Sequence, residues 1–359
     1  MKDDFATAMR RSFKQTCTGN PFAATRTMQA ALAGSTTETP PASVSKPKGK
    51  AARRAKPVTP RRRLSEDLSR LPPGPDSGPD RAPPALEVTE GALFEPHRHE
   101  GGHGVLDYRL FVPSDRDAGI QGVILMLHGC TQGPEDFATG TRMNEQAERH
   151  GLVVVYPAQT RGQNPSACWN WFRPGDQGRS GGEAALLADM VTAIADEHGV
   201  PPARVFAAGL SAGGAMAAIL AQSHPEVFAA AGVHSGLAPG SASNAVSALG
   251  AMRGDPVPGA EPLRAPAIIF HGSADGTVAP VNAGRIAGPL VDAEARTGEA
   301  AGRRYDVLQA RNPGGNPVEV WRIEGAGHAW SGGHADGSYT DPKGPDASAE
   351  MVRFFLGQA

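Results

Sequence analysis

A serine flanked by glycines stands at Gly209-Leu210-Ser211-Ala212-Gly213, between a strand-like run at 204–208 and an Ala-rich helical stretch at 212–222. G-x-S-x-G in that setting puts the serine on a tight strand-to-helix turn, and its glycines let the backbone pass closely. The helix start lends amide groups and dipole to an oxyanion. A serine hydroxyl is a weak nucleophile at neutral pH, so a base and an orienting carboxylate are required. On α/β folds these follow in the order Ser, Asp, His, each in a loop after a strand. Asp275 fits, because Ile268-Ile269-Phe270 feeds the polar loop His271-Gly272-Ser273-Ala274-Asp275. His328 fits as well, in the loop after the apolar run 318–323. His271, His234 and His334 are rivals, but only His328 combines chain order with strand-end placement. A second oxyanion donor is expected after an earlier strand, where Leu127-His128-Gly129-Cys130 stands. The backbone N–H groups of Cys130 and Ala212 are therefore the expected donors. Cys130 as a thiol nucleophile is the weaker reading beside a complete serine triad.

The elements that must hold these residues alternate. Strands are expected at 105–112, 122–127, 152–156, 204–208, 228–233, 266–270 and 318–323, and helices at 134–150, 183–198, 212–222 and 347–356. Continuous apolar runs such as Gly122–Leu127 suit strands buried on both faces of a parallel sheet. Strands alternating with helices imply right-handed βαβ units and a doubly wound, mostly parallel α/β sheet.

The front of the chain is different. Residues 1–84 carry 16 Lys+Arg against 7 Asp+Glu, a net of +9, so the remaining residues carry −2 − 9 = −11. Phe5, Met9 and Phe13 share one helical face, and Asn20-Pro21 starts a second helix, which predicts a helical hairpin over 1–33. Arg10-Arg11 resembles part of a twin-arginine signal, but no apolar segment follows it, so no ordinary signal peptide is read. From 34 to 84 the chain is rich in Ser, Thr, Pro and Ala, with nine Lys or Arg and no acid between Lys46 and Arg63. That composition predicts a disordered basic linker and a catalytic domain over 85–359. No aromatic residue interleaves the basic charges, which argues against a nucleic-acid partner. No apolar run approaches the ~18 residues of a membrane span, and no Cys/His group has metal-site spacing.

Five blocks in order carry a resemblance. They are His128-Gly129-Cys130, Ala167-Cys168-Trp169-Asn170-Trp171-Phe172, Gly209-Leu210-Ser211-Ala212-Gly213-Gly214, His271-Gly272-Ser273-Ala274-Asp275 and Gly327-His328-Ala329-Trp330-Ser331-Gly332-Gly333. From about Gly91 onward the chain resembles the esterase family of extracellular short-chain polyhydroxyalkanoate (poly-3-hydroxybutyrate) depolymerases, with the type 1 order of blocks. The resemblance implies an α/β-hydrolase fold, ester hydrolysis without cofactor or metal, and a triad of Ser211, Asp275 and His328. It also implies a Cys130–Cys168 disulfide, which would close a loop of 168 − 130 = 38 residues. The chain-entropy account gives such a loop roughly 3–4 kcal/mol. The other reading is two thiols in a reducing compartment. Trp169, Trp171 and Trp330 are expected at the substrate cleft, with core packing as the alternative reading.

The expected partners are short-chain polyesters, their oligomers and other small esters. No binding domain is read after Leu356, so soluble esters are expected to be better substrates than crystalline polymer. Feruloyl and acetylxylan esterases share much of the pattern and stand as alternatives. A polymer- or granule-binding protein with a basic docking tail is the alternative outside enzymes. The resemblance implies an extracellular or periplasmic location, while the missing signal peptide leaves the cytoplasm open.

Overall fold

A computed structural model describes residues 88–117 and 119–358. The hairpin expected over 1–33 and the linker expected over 34–84 lie outside the described residues. Among the described residues ten strands form one sheet: β1 (Leu93–Gly101), β2 (Gly104–Val112), β3 (Gly122–Leu127), β4 (Leu152–Pro157), β5 (Val205–Leu210), β6 (Ala230–His234), β7 (Ala267–Gly272), β8 (Val291–Ala300), β9 (Arg303–Arg311) and β10 (Pro317–Ile323). Their order is β1-β2-β4-β3-β5-β6-β7-β10-β9-β8. The six strands from β4 to β10 run parallel, and antiparallel pairs finish both edges.

The helices are α1 (Pro134–Thr141), α2 (Met143–His150), α3 (Gly182–Glu197), α4 (Ala212–Ser223), α5 (Ala245–Met252), α6 (Val281–Ala287) and α7 (Ala347–Leu356). They cover both faces of the sheet, so β3, β4 and β5 are buried along their whole length. Successive strand side chains alternate between faces. Val123, Leu125 and Leu127 join the core under α3 and α4, whereas Ile124 and Met126 join the core under α1, α2 and α7.

One expected helix is two. The run at 134–150 breaks at Arg142, whose φ of 54° and ψ of 25° leave the right-handed helix. Thr141 Oγ1 donates to the Phe137 carbonyl at 2.8 Å, and the Arg142 guanidinium clasps Glu145 at 2.7 and 2.6 Å. The turn lets Phe137 and Ala138 on one segment and Met143 and Ala147 on the next reach the same core.

Candidate active site

β5 ends at Leu210 and α4 starts at Ala212, so Ser211 is the single residue between them. Its φ of 58° and ψ of −117° are unfavourable for any side chain, which marks the position as one the surroundings must enforce. They do so by close backbone contact. A Cβ on Gly213 would sit 1.9 Å from the Leu127 carbonyl oxygen, and one on Gly209 would sit 2.5 Å from Gly213 C. Only glycine lets α4 start this near the ends of β3 and β5. The Ser211 N–H donates to the His234 carbonyl at 2.9 Å, which fixes the turn to the end of β6. As the first helical residue, Ala212 holds one of the N–H groups that a helix leaves without an internal acceptor.

Asp275 and His328 are brought together from the ends of β7 and β10. His328 Nδ1 donates to Asp275 Oδ2 at 2.8 Å, which leaves Nε2 with the lone pair. Asp275 Oδ1 accepts the Thr277 and Val278 N–H groups at 2.9 and 2.8 Å. The two loops touch backbone to backbone, with Ala274 N–H on the Ala326 carbonyl at 3.0 Å. Burial alone would raise the Asp275 pKa. The hydrogen bonds from His271 and His328, with the Val278 N–H, outweigh it and hold the carboxyl well below the usual range.

The rival histidines have other work. His271 Nε2 donates to the Val278 carbonyl at 2.9 Å and lies 3.4 Å from Asp275 Oδ2, while its buried Nδ1 has no partner. His334 is half-exposed beside Asp336. His234 is fully buried, stacked on Phe270 and Trp330. Its Nε2 accepts the Ser331 N–H at 3.1 Å, so Nδ1 carries the proton and faces Ser235 Oγ at 3.2 Å. Burial, reinforced by His271 and His328, lowers its pKa to about 3. His234 thus links the Ser211 turn, through its carbonyl, to the segment carrying His328, through its ring.

The loop after β3 lies against Ser211. A Cβ on Gly129 would be 3.7 Å from Ser211 Cβ. Gly129 N–H donates to Gln132 Oε1 at 2.9 Å and Thr131 N–H to the Ser166 carbonyl at 2.8 Å, on either side of Cys130. His128 Nε2 accepts the Gln159 N–H at 3.2 Å, so Nδ1–H donates to the Gly129 carbonyl at 2.8 Å and sets the plane of the peptide that carries Cys130 N–H. Cys130 and Cys168 Sγ are joined at 2.06 Å, tying this loop to the tryptophan loop.

The tryptophans take up the core-packing alternative. Trp330 is 1% exposed, edge-on to Phe137, with Nε1 donating to Ser348 Oγ at 3.1 Å. It stands in a two-residue strand paired with Thr340–Asp341, which turns its ring into the core under α7. Trp171 is buried in the opposite core against Phe172. Trp169 is 1% exposed and packs on His128, and it borders a cavity of about 380 Å³ beside Asn170, Gln159 and Glu183.

Residues without a motif brace the loops around these groups. Glu183, at the start of α3, accepts the Asn170 N–H at 2.6 Å, Gln159 Nε2 at 2.5 Å and the Asn170 side-chain amide. Burial raises its pKa despite these bonds. Gln132 Nε2 donates to Asp136 Oδ2 and the Ser338 carbonyl, both at 3.0 Å. These contacts span up to 206 residues and leave no periodic trace in the sequence.

Residues 106–307, more than half of the chain, match the family described as Esterase PHB depolymerase. The chain is 34% identical over 243 residues to poly(3-hydroxyalkanoate) depolymerase C of Paucimonas lemoignei, covering 60% of this chain and 56% of that protein. It is 35% identical over 140 residues to feruloyl esterase B of Thermothelomyces thermophilus, covering 39% of this chain and 47% of that protein. The matches therefore span about half the length of these relatives. Among solved structures, an acetyl xylan esterase from Aspergillus awamori superposes with a TM-score of 0.54 at 21% identity, over 71% of this chain and 94% of that one. That likeness and the sheet order make the fold an α/β-hydrolase. The chain belongs to the esterase PHB depolymerase family and carries that family's carboxylic ester hydrolase domain.

Proposed function

We propose that the protein hydrolyses short-chain hydroxyalkanoate esters and their oligomers through an acyl-enzyme on Ser211. The observation that carries this reading is the Asp275–His328 bond at 2.8 Å between the loops after β7 and β10, in the same sheet whose strand β5 leads into Ser211 and its strained turn. Ser211 Oγ attacks the ester carbonyl while His328 Nε2 takes its proton. Asp275 holds the imidazole in the required tautomer and stabilises its cation. The N–H groups of Cys130 and Ala212 receive the oxyanion. Collapse of the tetrahedral adduct expels the alcohol, protonated by His328. Water, deprotonated by the same nitrogen, then releases the acid and restores Ser211. The likeness to depolymerase C supports the hydroxyalkanoate acyl group.

The 35% identity to feruloyl esterase B supports a second reading, a plant-wall esterase. Product analysis after incubation with 3-hydroxybutyrate trimer and with methyl ferulate separates the two. Hydrolysis of trimer at a rate well above ferulate is expected, and the reverse order overturns the first reading. The Cys130–Cys168 link supports an oxidising compartment, extracellular or periplasmic. The catalytic part is assigned to 85–359, so a chain lacking residues 1–84 should keep its activity on soluble esters. An insoluble or inactive truncation would refute that boundary.

A further inference from the structure

Two hydroxyls from opposite loops meet at the rim of the site. Thr131 Oγ1 and Tyr339 Oη are 3.2 Å apart, although 208 residues separate them in sequence. Thr131 directly follows Cys130, one expected oxyanion donor. Tyr339 lies between His328 and α7, and its carbonyl accepts the Trp330 N–H at 2.7 Å. Both residues have positive φ, 66° and 52°, a region that side chains other than glycine enter at a cost. Neighbouring bonds enforce it on each side. Ser338 N–H donates to Asp136 Oδ1 at 2.8 Å, Gln132 reaches the Ser338 carbonyl, and Thr131 N–H is held by Ser166. Strain imposed so fully, on two residues whose side chains meet, is the pattern expected of a site with a task.

The pair is open to ligand, with Thr131 exposed and Tyr339 half-buried. Two hydroxyls bring two protons and four lone pairs, and their mutual bond uses one of each. A donor and several acceptors remain for a third oxygen.

We propose that Thr131 and Tyr339 form a subsite for the oxygen on C3 of the acyl group, the atom that distinguishes a 3-hydroxyalkanoate from a simple fatty acid. This rests on the hydroxyalkanoate reading above and names the residues that would recognise that acyl group. With the scissile carbonyl oxygen on Cys130 N–H, the C3 oxygen lies two carbons further along the acyl chain. That reach is comparable to the ~3.8 Å step from Cys130 to the next Cα. A butyrate ester presents only methylene hydrogens there and leaves the hydroxyls without a new partner. A free hydroxyl and an esterified C3 oxygen both accept a hydrogen bond, so monomer esters and oligomers use the same contact.

The test compares p-nitrophenyl 3-hydroxybutyrate with p-nitrophenyl butyrate, which differ only at C3. In Tyr339→Phe and in Thr131→Val the ratio of kcat/KM for the hydroxy ester over the plain ester should fall about tenfold, the loss of one partly exposed hydrogen bond. Thr131→Ser, which keeps a hydroxyl, should restore the ratio. A ratio within twofold of wild type in both folded variants overturns the subsite, whatever happens to the absolute rates. Calorimetric binding to Ser211→Ala gives an arm free of turnover. Methyl 3-hydroxybutyrate should bind about tenfold more tightly than methyl butyrate, and adding Tyr339→Phe should erase the difference. Equal binding overturns the subsite while leaving ester hydrolysis intact. A wild type that cleaves butyrate esters but no 3-hydroxybutyrate oligomer sinks the substrate reading instead, and the binding arm then still decides the subsite.

Discussion

The parallel centre of the sheet and its β8–β9 edge are built on opposite rules. In the centre β5 carries no charged side chain and is buried throughout, and its neighbours approach so closely that Gly209 and Gly213 have no room for a methyl group. At the edge, β8 reads Val-Asp-Ala-Glu-Ala-Arg-Thr-Gly-Glu-Ala and is almost entirely exposed. Its charges at Asp292, Glu294, Arg296 and Glu299 discourage another chain from pairing with the open strand. Position is tightly determined in the first region and loosely in the second. The proposed chemistry sits at the ends of the tightly determined strands, where a small displacement costs most.

The sharpest way to break this contrast is at the serine. Ser211→Ala should lower kcat for p-nitrophenyl butyrate on the order of 10⁵-fold with the fold intact. Retention of a tenth of the activity in folded protein would remove Ser211 from its role. The disulfide comes next. Replacing Cys130 and Cys168 together by Ala should cost about 2–4 kcal/mol in urea unfolding. A cost below about 1 kcal/mol would show that the tryptophan loop holds without it.

His234 gives a smaller effect with a defined sign. Its pKa is lowered from 6.5 to about 3 in the folded protein, so between those values the unfolded chain binds a proton that the folded one refuses. Its contribution is fully present above pH 6.5 and is lost as pH falls toward 3, by up to about 1.4 kcal/mol per pH unit. Denaturation across that range should show a shallower slope in His234→Gln than in wild type. Equal slopes would mean the ring is not held neutral. At the edge, Glu294→Ala should change stability by no more than about 0.5 kcal/mol. A larger loss would show that β8 is held as firmly as the centre.

The same contrast explains what could be read without coordinates. Apolar runs covered on both faces, such as 122–127 and 152–156, announce strands, and the glycines around Ser211 announce the turn. Asp275 and His328 follow because strand ends are where such side chains converge. The β8–β9 hairpin leaves no such mark, because an exposed edge has no apolar face to alternate. The break at Arg142 has neither Gly nor Pro to mark it, since it is set by what the two helical segments bury. Glu183, Gln132 and Asp136 form their contacts through tertiary proximity, which single-sequence periodicity does not record. The burial of Trp330 has a different origin. His328 lies in the loop before the two-residue strand Trp330–Ser331, so the two side chains share no strand face and nearness along the chain says little about direction.

The strand order has a consequence of its own. From β3 the chain passes to β4 on one side through α1 and α2, then returns across to β5 on the other side through α3. The helices of these two crossings lie on opposite faces. Loops leaving β3 and β5 therefore diverge, and a crevice opens at this topological switch point before any side chain is chosen. Cys130 stands on one bank and Ser211 on the other. In the proposed mechanism an ester carbonyl bridging the banks would meet the serine from one and an amide from the other. If the proposed subsite holds, substrate range is a matter of the banks, at Thr131 and Tyr339, while the winding of the chain keeps the gap open.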